Sequence, residues 1–516
     1  MTRIGVTLFV LSLVIYPAAA QMSNTPSPAD VARQVREFRR ANEHKIISEL
    51  TAFLSIPNIA TDTPNIERNA AALVEMLQKR GVATQLLPIT GRGPVVFGEL
   101  KTPGATRTVI FYAHYDGQPV DPAAWCGTTP FDPALRTNSI EAGGRRIPFP
   151  APDTPYQDDW RIYARSASDD KSPIIAILAA LDALRAKHIP LSVNVKFILD
   201  GEEEAGSPNL ERTLAAHRQL IAGDVLITAD GPVHQSGRPM VFFGNRGVMD
   251  AEITVYGPAR ALHSGHYGNW APNPAFHLAR LLASMKDADG RVLIEGFYDD
   301  VEPLSDRERQ AIADMPANDS DLMHELLIAR PEGGGKKLVE LINLPSLNIR
   351  GLRSAYVGAQ SQNIIPTQAT ASLDLRLVRN IQPAKQFDRV VAHIRKQGFC
   401  VTSAEPTGEE RLKCPFIAKV TTNGWGYRAS RTSMDLPVSR AIVQVVEQAA
   451  GGPVVKMPTL GGSAPMYIFE QWNLPVIGVP MVNHDNNQHA ADENLRLGNF
   501  WRGIEIYAAL MSALRW

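Results

Sequence analysis

The sequence predicts an α/β protein with a mostly parallel central sheet, interrupted by a smaller inserted α+β domain. Three observations carry this reading. Short apolar runs recur at Val109–Ala113, Val193–Leu199, Val225–Thr228 and Pro475–Val479, as strands buried on both faces do. Between the first two lies a helix-length segment, Ile174–Ala186, with Pro173 suited to its first turn, and strands alternating with helices point to a parallel layer. Near Met240 the pattern changes: Val248–Val255 and Ala371–Leu377 alternate apolar and polar residues, the mark of half-buried antiparallel strands.

Taken in order, the chain opens with Arg3, an apolar run from Ile4 to Tyr16, Pro17, and Ala18-Ala19-Ala20 before Gln21. That is the arrangement of a cleaved secretory signal, and the run is shorter than the ~20 residues a membrane span needs. The expectation is a signal peptide over 1–20 and an exported protein, periplasmic or secreted, with no membrane contact after cleavage. A polar linker (Met22–Asp30) precedes two amphipathic helices, Val31–Leu54 and Ile66–Arg80, the second closed by Gly81. Asn138–Trp160, rich in Gly, Pro and Asp, reads as a long surface loop. Pro272–Met285 and Pro383–Lys396 read as the helices of the inserted domain. The expected division is 21–240 and 431–516 for the main domain and 241–430 for the insert.

Composition narrows the function classes. Lys plus Arg is 52 and Asp plus Glu 53, a net charge of −1, so no basic face awaits nucleic acid. The three cysteines, Cys126, Cys400 and Cys414, form no C-x-x-C, which removes thiolate zinc sites and thioredoxin-like chemistry. Cys400 and Cys414 are close enough to pair across a short loop in an oxidising compartment; the spacing alone leaves both states open.

Reactive side chains follow the apolar runs. His114 and Asp116 come after the first, Glu202, Glu203 and Glu204 after the second, Asp230 after the third and His489 after the fourth. Asp169-Asp170 precedes the helix that Pro173 opens. Each has a plain reading: a surface His-x-Asp, a solvated acidic run, an Asp pair suiting a helix N-terminus. Together they stand at the carboxyl ends of strands, where α/β sheets bind ligands. Imidazole and carboxylate without thiolate are the ligand set of catalytic zinc or a related divalent ion.

The strings themselves are Tyr112-Ala113-His114-Tyr115-Asp116, Ser168-Asp169-Asp170-Lys171, Gly201-Glu202-Glu203-Glu204-Ala205-Gly206-Ser207, Thr228-Ala229-Asp230, Leu262-His263-Ser264-Gly265, Gly461-Gly462-Ser463 and His489-Ala490-Ala491-Asp492-Glu493. In this order they resemble the dizinc metallopeptidase family of carnosinases, aminoacylases, acetylornithine deacetylases and glutamate carboxypeptidases, and most of all its carnosinase-like dipeptidases. Two departures stand out. The family's usual Gly-Arg-Gly is Ala164-Arg165-Ser166 here, with Lys171-Ser172 replacing Lys-Gly, and the loop Asn138–Trp160 is longer than usual.

The resemblance implies a ferredoxin-like inserted lid and dimerisation domain, and two divalent ions per chain, most readily zinc, with manganese or cobalt as substitutes. One would take His114 and Asp230, the other Glu204 and His489, with Asp169 bridging and a cis peptide between Asp169 and Asp170. His489 rather than His484 matches the family string. Glu203 would be general base and then acid, Asp116 would orient His114, and His263, from the insert of a partner in a homodimer, would steady the oxyanion. Arg376, Asn363, Gly462 and Ser463 would contact a small peptide substrate, Arg376 through its C-terminal carboxylate. The implied reaction is amide hydrolysis of dipeptides or short peptides, with N-acyl amino acids as the alternative substrate on the same site. A serine hydrolase is excluded because no G-x-S-x-G elbow occurs. A non-catalytic binding protein would have no need of Glu203.

Overall fold

The computed structural model describes residues 26–422, 424 and 426–516; the expected signal peptide lies outside them. Among the described residues no helix is long and apolar enough to cross a membrane.

An eight-stranded sheet forms the larger body. Its order runs Ala83–Leu87, Val95–Leu100, Asn194–Asp200, Thr108–His114, Val225–Thr228, Val476–Gly478, Met240–Phe242, Val455–Met457. The four central strands from Asn194–Asp200 to Val476–Gly478 are parallel. Antiparallel pairings enter on either side of them. Thr108–His114 shows why its run is unbroken: Val109, Phe111 and Ala113 enter the core under the helices, while Ile110 and Tyr112 enter a second core on the opposite face. Helices Pro28–Leu54, Lys171–Ala186, Pro437–Ala450 and Leu497–Ala513 supply the first core with Phe53, Leu178, Ile442 and Trp501. Lys171–Ala186 is the crossover between parallel neighbours.

The chain leaves this sheet after Met240–Phe242 and returns to it at Val455–Met457. Between them Gly247–Tyr256, Ser346–Ser354, Gln368–Leu377 and Ile417–Thr421 form an antiparallel sheet in the order second, third, first, fourth. Helices Pro274–Ala283 and Pro383–Lys396 cover one face of it with Leu278, Leu281, Val390 and Ile394. This is the ferredoxin-like arrangement, extended at one edge by Cys400–Thr402, which runs parallel to Ile417–Thr421.

Two local expectations change. Gly247–Tyr256 is not half-buried: every residue but Glu252 is buried. It is a central strand whose polar face is covered from its neighbours, Asp250 by Arg350 and Thr422, and Thr254 by Thr370. The loop Asn138–Trp160 is mostly exposed but anchored, because Arg146–Ile147 pairs with Ala134–Arg136 and the Tyr156 amide donates to Glu43. Cys400 and Cys414 form a disulfide, while Cys126 is free and exposed.

Candidate metal centre

The parallel strands end on one side of the sheet, and their successors meet there. His114 is the last residue of its strand, Glu203 and Glu204 sit on a short turn after Asn194–Asp200, and Asp230 lies two residues past Val225–Thr228. Two groups of ligand atoms result, each within 4.8 Å: His114, Asp170 and Asp230, and Asp169, Glu204 and His489. Asp169 stands between them. Its Oδ1 is 2.8 Å from His114 Nε2 and its Oδ2 is 3.1 Å from His489 Nε2, which lies 3.2 Å from Glu204 Oε2.

Asp170 falls in the first group, which the sequence reading leaves to His114, Asp230 and a shared Asp169. It occupies the N-cap position of Lys171–Ala186 but makes no side-chain capping bond. Its Oδ2 accepts the His114 amide at 3.3 Å, and its Oδ1 is buried without a partner. Only its place beside Asp169 hinted at it, and the peptide joining the two is cis.

The donor set fits divalent cations. Asp169, Asp170, Glu203, Glu204 and Asp230 crowd two imidazoles, and the nearby ammonium of Lys171 turns away to the carbonyls of Phe53 and Ile56. The crowding shows in the acidities. Burial, then the Asp169 charge, push Asp230 up to about 6 and Glu204 up to about 8. Burial raises Glu203 and Asp170 well above the carboxylate range. Burial opposes ionisation of Asp169 too, yet hydrogen bonds from His114 and His489 outweigh it and hold its pKa low. The Asp169 bond is also the main cause that lifts His489 to about 9. Histidine and carboxylate oxygen without sulfur suit zinc, manganese or cobalt.

Asp116 does more than face His114. Its Oδ1 lies 3.3 Å from His114 Nδ1. Oδ1 and Oδ2 also accept the amides of Glu203 and Glu204, at 3.1 and 3.0 Å. One buried carboxylate thus ties a ligand-bearing strand end to the glutamate turn. Glu202, the third of the run, turns away and accepts from Asn209.

A cavity of about 520 Å³ opens over the groups, lined among others by Asp169, Glu203, Glu204, Asp230, Arg376, Tyr427, Gly462, Ser463 and His489. Arg376 reaches it from the inserted sheet and donates to Ser463 Oγ at 2.6 Å. Two glutamines unnoticed in the sequence also reach the ligand carboxylates, Gln118 to Glu204 at 2.7 Å and Gln488 to Asp169 at 2.9 Å. His484 lies instead in a neighbouring apolar cavity with Met240, Met315 and Leu338.

His263 and Asn363 do not join this cavity. Both are exposed and adjoin each other, on Leu262–His263 and just before its partner Ile364–Ile365. The His263 ring lies 4.6 Å from that of His266. The sequence patterns in the inserted domain carry no distance to the metal ligands, so only the fold could place these two outside the cavity lining.

Comparison with known proteins follows the same lines. The chain is 26% identical to a Cys-Gly metallodipeptidase of Candida albicans over 485 residues, covering 89% of this chain and 93% of that protein. It is 24% identical to the human Beta-Ala-His dipeptidase over 540 residues, covering 98% and 97%. The crystal structure of an M20 family metallo-carboxypeptidase from Sulfolobus solfataricus superposes with a TM-score of 0.74 at 29% identity, covering 90% of this chain and 98% of that one. Residues 110–513, which hold every member of both ligand groups, match the family as a whole, and the chain is therefore a metal-dependent peptidase that belongs to peptidase family M20/M25/M40.

Proposed function

We propose that the chain is an exported dipeptidase that hydrolyses the amide bond of dipeptides or short peptides bearing a free C-terminal carboxylate. The observation that carries this is the position of Glu203. It lines the same cavity as Asp169, Glu204, Asp230, His489 and Arg376, yet belongs to neither ligand group. Zinc ions held by His114, Asp170 and Asp230 on one side and by Glu204 and His489 on the other, with Asp169 within reach of both imidazoles, would polarise the scissile carbonyl and acidify water. The Glu203 carboxylate accepts a proton as water attacks that carbonyl. It returns the proton to the amine nitrogen as the C–N bond breaks, and so ends as it began. Arg376, aligned by Ser463, offers its guanidinium fork to the terminal carboxylate. Asp116 keeps Glu203 and Glu204 in register with His114.

The active unit in this reading is a homodimer. His263 and Asn363 are exposed outside their own cavity, and the segments carrying them also expose Trp270 and Val357, by 81% and 86%. In this reading those two apolar side chains belong to the surface between the copies. Export draws support from the apolar run before Ala18-Ala19-Ala20 and from the Cys400–Cys414 disulfide.

Glu203→Gln tests the reading. The amide fills the same space but carries no proton, so the variant should hold two metals per chain and lose ~100-fold or more of kcat on dipeptides. Activity within about tenfold of wild type would place the base elsewhere. Turnover of N-acyl amino acids in preference to dipeptides would replace the substrate class.

A further inference from the structure

We propose that Glu493 is a positioning residue that sets the two metal groups relative to each other; the inference rests on the metal-site reading above. Its carboxylate is fully buried and meets only donors. Oε1 accepts from the amides of Ser168 and Asp169, both at 2.9 Å, and from Ser168 Oγ at 2.8 Å. Oε2 accepts from the Ser166 amide at 2.9 Å and from Arg165 Nη1 at 2.7 Å. Glu493 stands four residues after His489, so one side chain joins the loop bearing the second group's imidazole to the segment, 324 positions away at Asp169, that carries Asp169 of that group and Asp170 of the first.

Arg165 extends the same clamp. Its Nη2 donates to Ala490 O at 3.1 Å and to Pro119 O at 3.5 Å. Ala490 adjoins His489, and Pro119 lies in the loop that follows His114 and Asp116. Three loops far apart in sequence therefore share one ion pair.

The backbone gives these loops reason to need holding. Asn487, His489 and Asp492 have φ of 56°, 63° and 59°, and Ser166 has φ of 61°. Left-handed conformations are costly for residues with a Cβ and persist where surrounding contacts impose them. The Asn494 amide closes the base of the His489 loop on Asn486 O at 2.8 Å. Ser166 is held by Glu493 at its amide and by Asn58 at its hydroxyl. Glutamine at 493 would set an NH2 group among donors, so the clamp should open by relaxation of these strained turns.

The test is a zinc titration of metal-stripped full-length protein against a competing chromophoric chelator, well below the unfolding temperature. Wild type should take two equivalents. Glu493→Gln, with an unchanged far-UV circular dichroism spectrum, should bind at least one equivalent about tenfold more weakly, as loss of an outer partner does. Its cobalt-loaded form should show a shifted visible absorption spectrum, which a merely less stable protein would not. Affinity within about threefold and an unshifted spectrum would overturn the inference and leave the metal-site reading standing. Fewer than two equivalents in wild type would overturn both. If Glu493→Gln does not fold, Ser168→Ala decides: it removes one donor and should weaken zinc about threefold, and unchanged binding there overturns the inference.

Discussion

Arg376→Ala should separate substrates by their C-terminus. Among the described residues lining the cavity, Arg376 is the one lysine or arginine. Its Nη1 is tethered to Ser463 Oγ at 2.6 Å, and its Nε lies 3.8 Å from Asp374, leaving the rest of the fork for substrate. A hydrogen bond to a charged group is worth ~1.5–3 kcal/mol net. The Arg376 side chain is 36% exposed, so solvent screening favours the lower half of that range. The expected loss in kcat/KM is then about tenfold to fiftyfold for dipeptides with a free acid, and less than about threefold for their C-terminal amides. Arg376→Lys keeps the charge without the fork and should fall between. Ser463→Ala frees the guanidinium and should cost about fivefold on the acids. The assay is steady-state hydrolysis of one dipeptide as acid and as amide by metal-loaded enzyme. Equal losses on both would refute the assignment.

Asp116→Asn leaves one oxygen for the amides of Glu203 and Glu204 and the His114 ring; we expect about tenfold weaker metal binding, measured by chelator competition. The Cys400–Cys414 bond closes a 14-residue separation. Its removal by Cys400→Ser should lower stability by at most ~3 kcal/mol in urea unfolding, with kcat/KM unchanged because neither cysteine lines the cavity. A chain carrying His263→Ala and one carrying Glu203→Gln should each be nearly inactive, yet recover about a quarter of wild-type activity after mixing and exchange, one intact site per mixed dimer. A fully active monomer by solution mass would contradict that arrangement.

Much of the architecture is legible in local chemistry. Val109 to Ala113 can only be a strand buried on both faces, because two cores claim its alternate side chains. The alternation of Ala371–Leu377 predicts its half-buried face residue by residue. Glu202 through Glu204 illustrates the limit. Three identical neighbours diverge because the turn sends Glu202 to Asn209, Glu203 into the cavity and Glu204 toward His489, and a run of one residue type carries no such direction.

Order along the chain and residue type settled which chemistry this protein holds: imidazoles and carboxylates placed after strands that must lie parallel. Only the tertiary structure decided who shares a site with whom. Asp170 joins His114 and Asp230, Arg376 crosses from the inserted sheet to Ser463, and His263 stays outside. The reason is physical. Strand and helix periods follow from side chains a few residues apart, whereas a ligand pair such as Asp169 and His489 is fixed by packing between segments more than 300 positions apart, through contacts such as the Glu493 bond to the Asp169 amide.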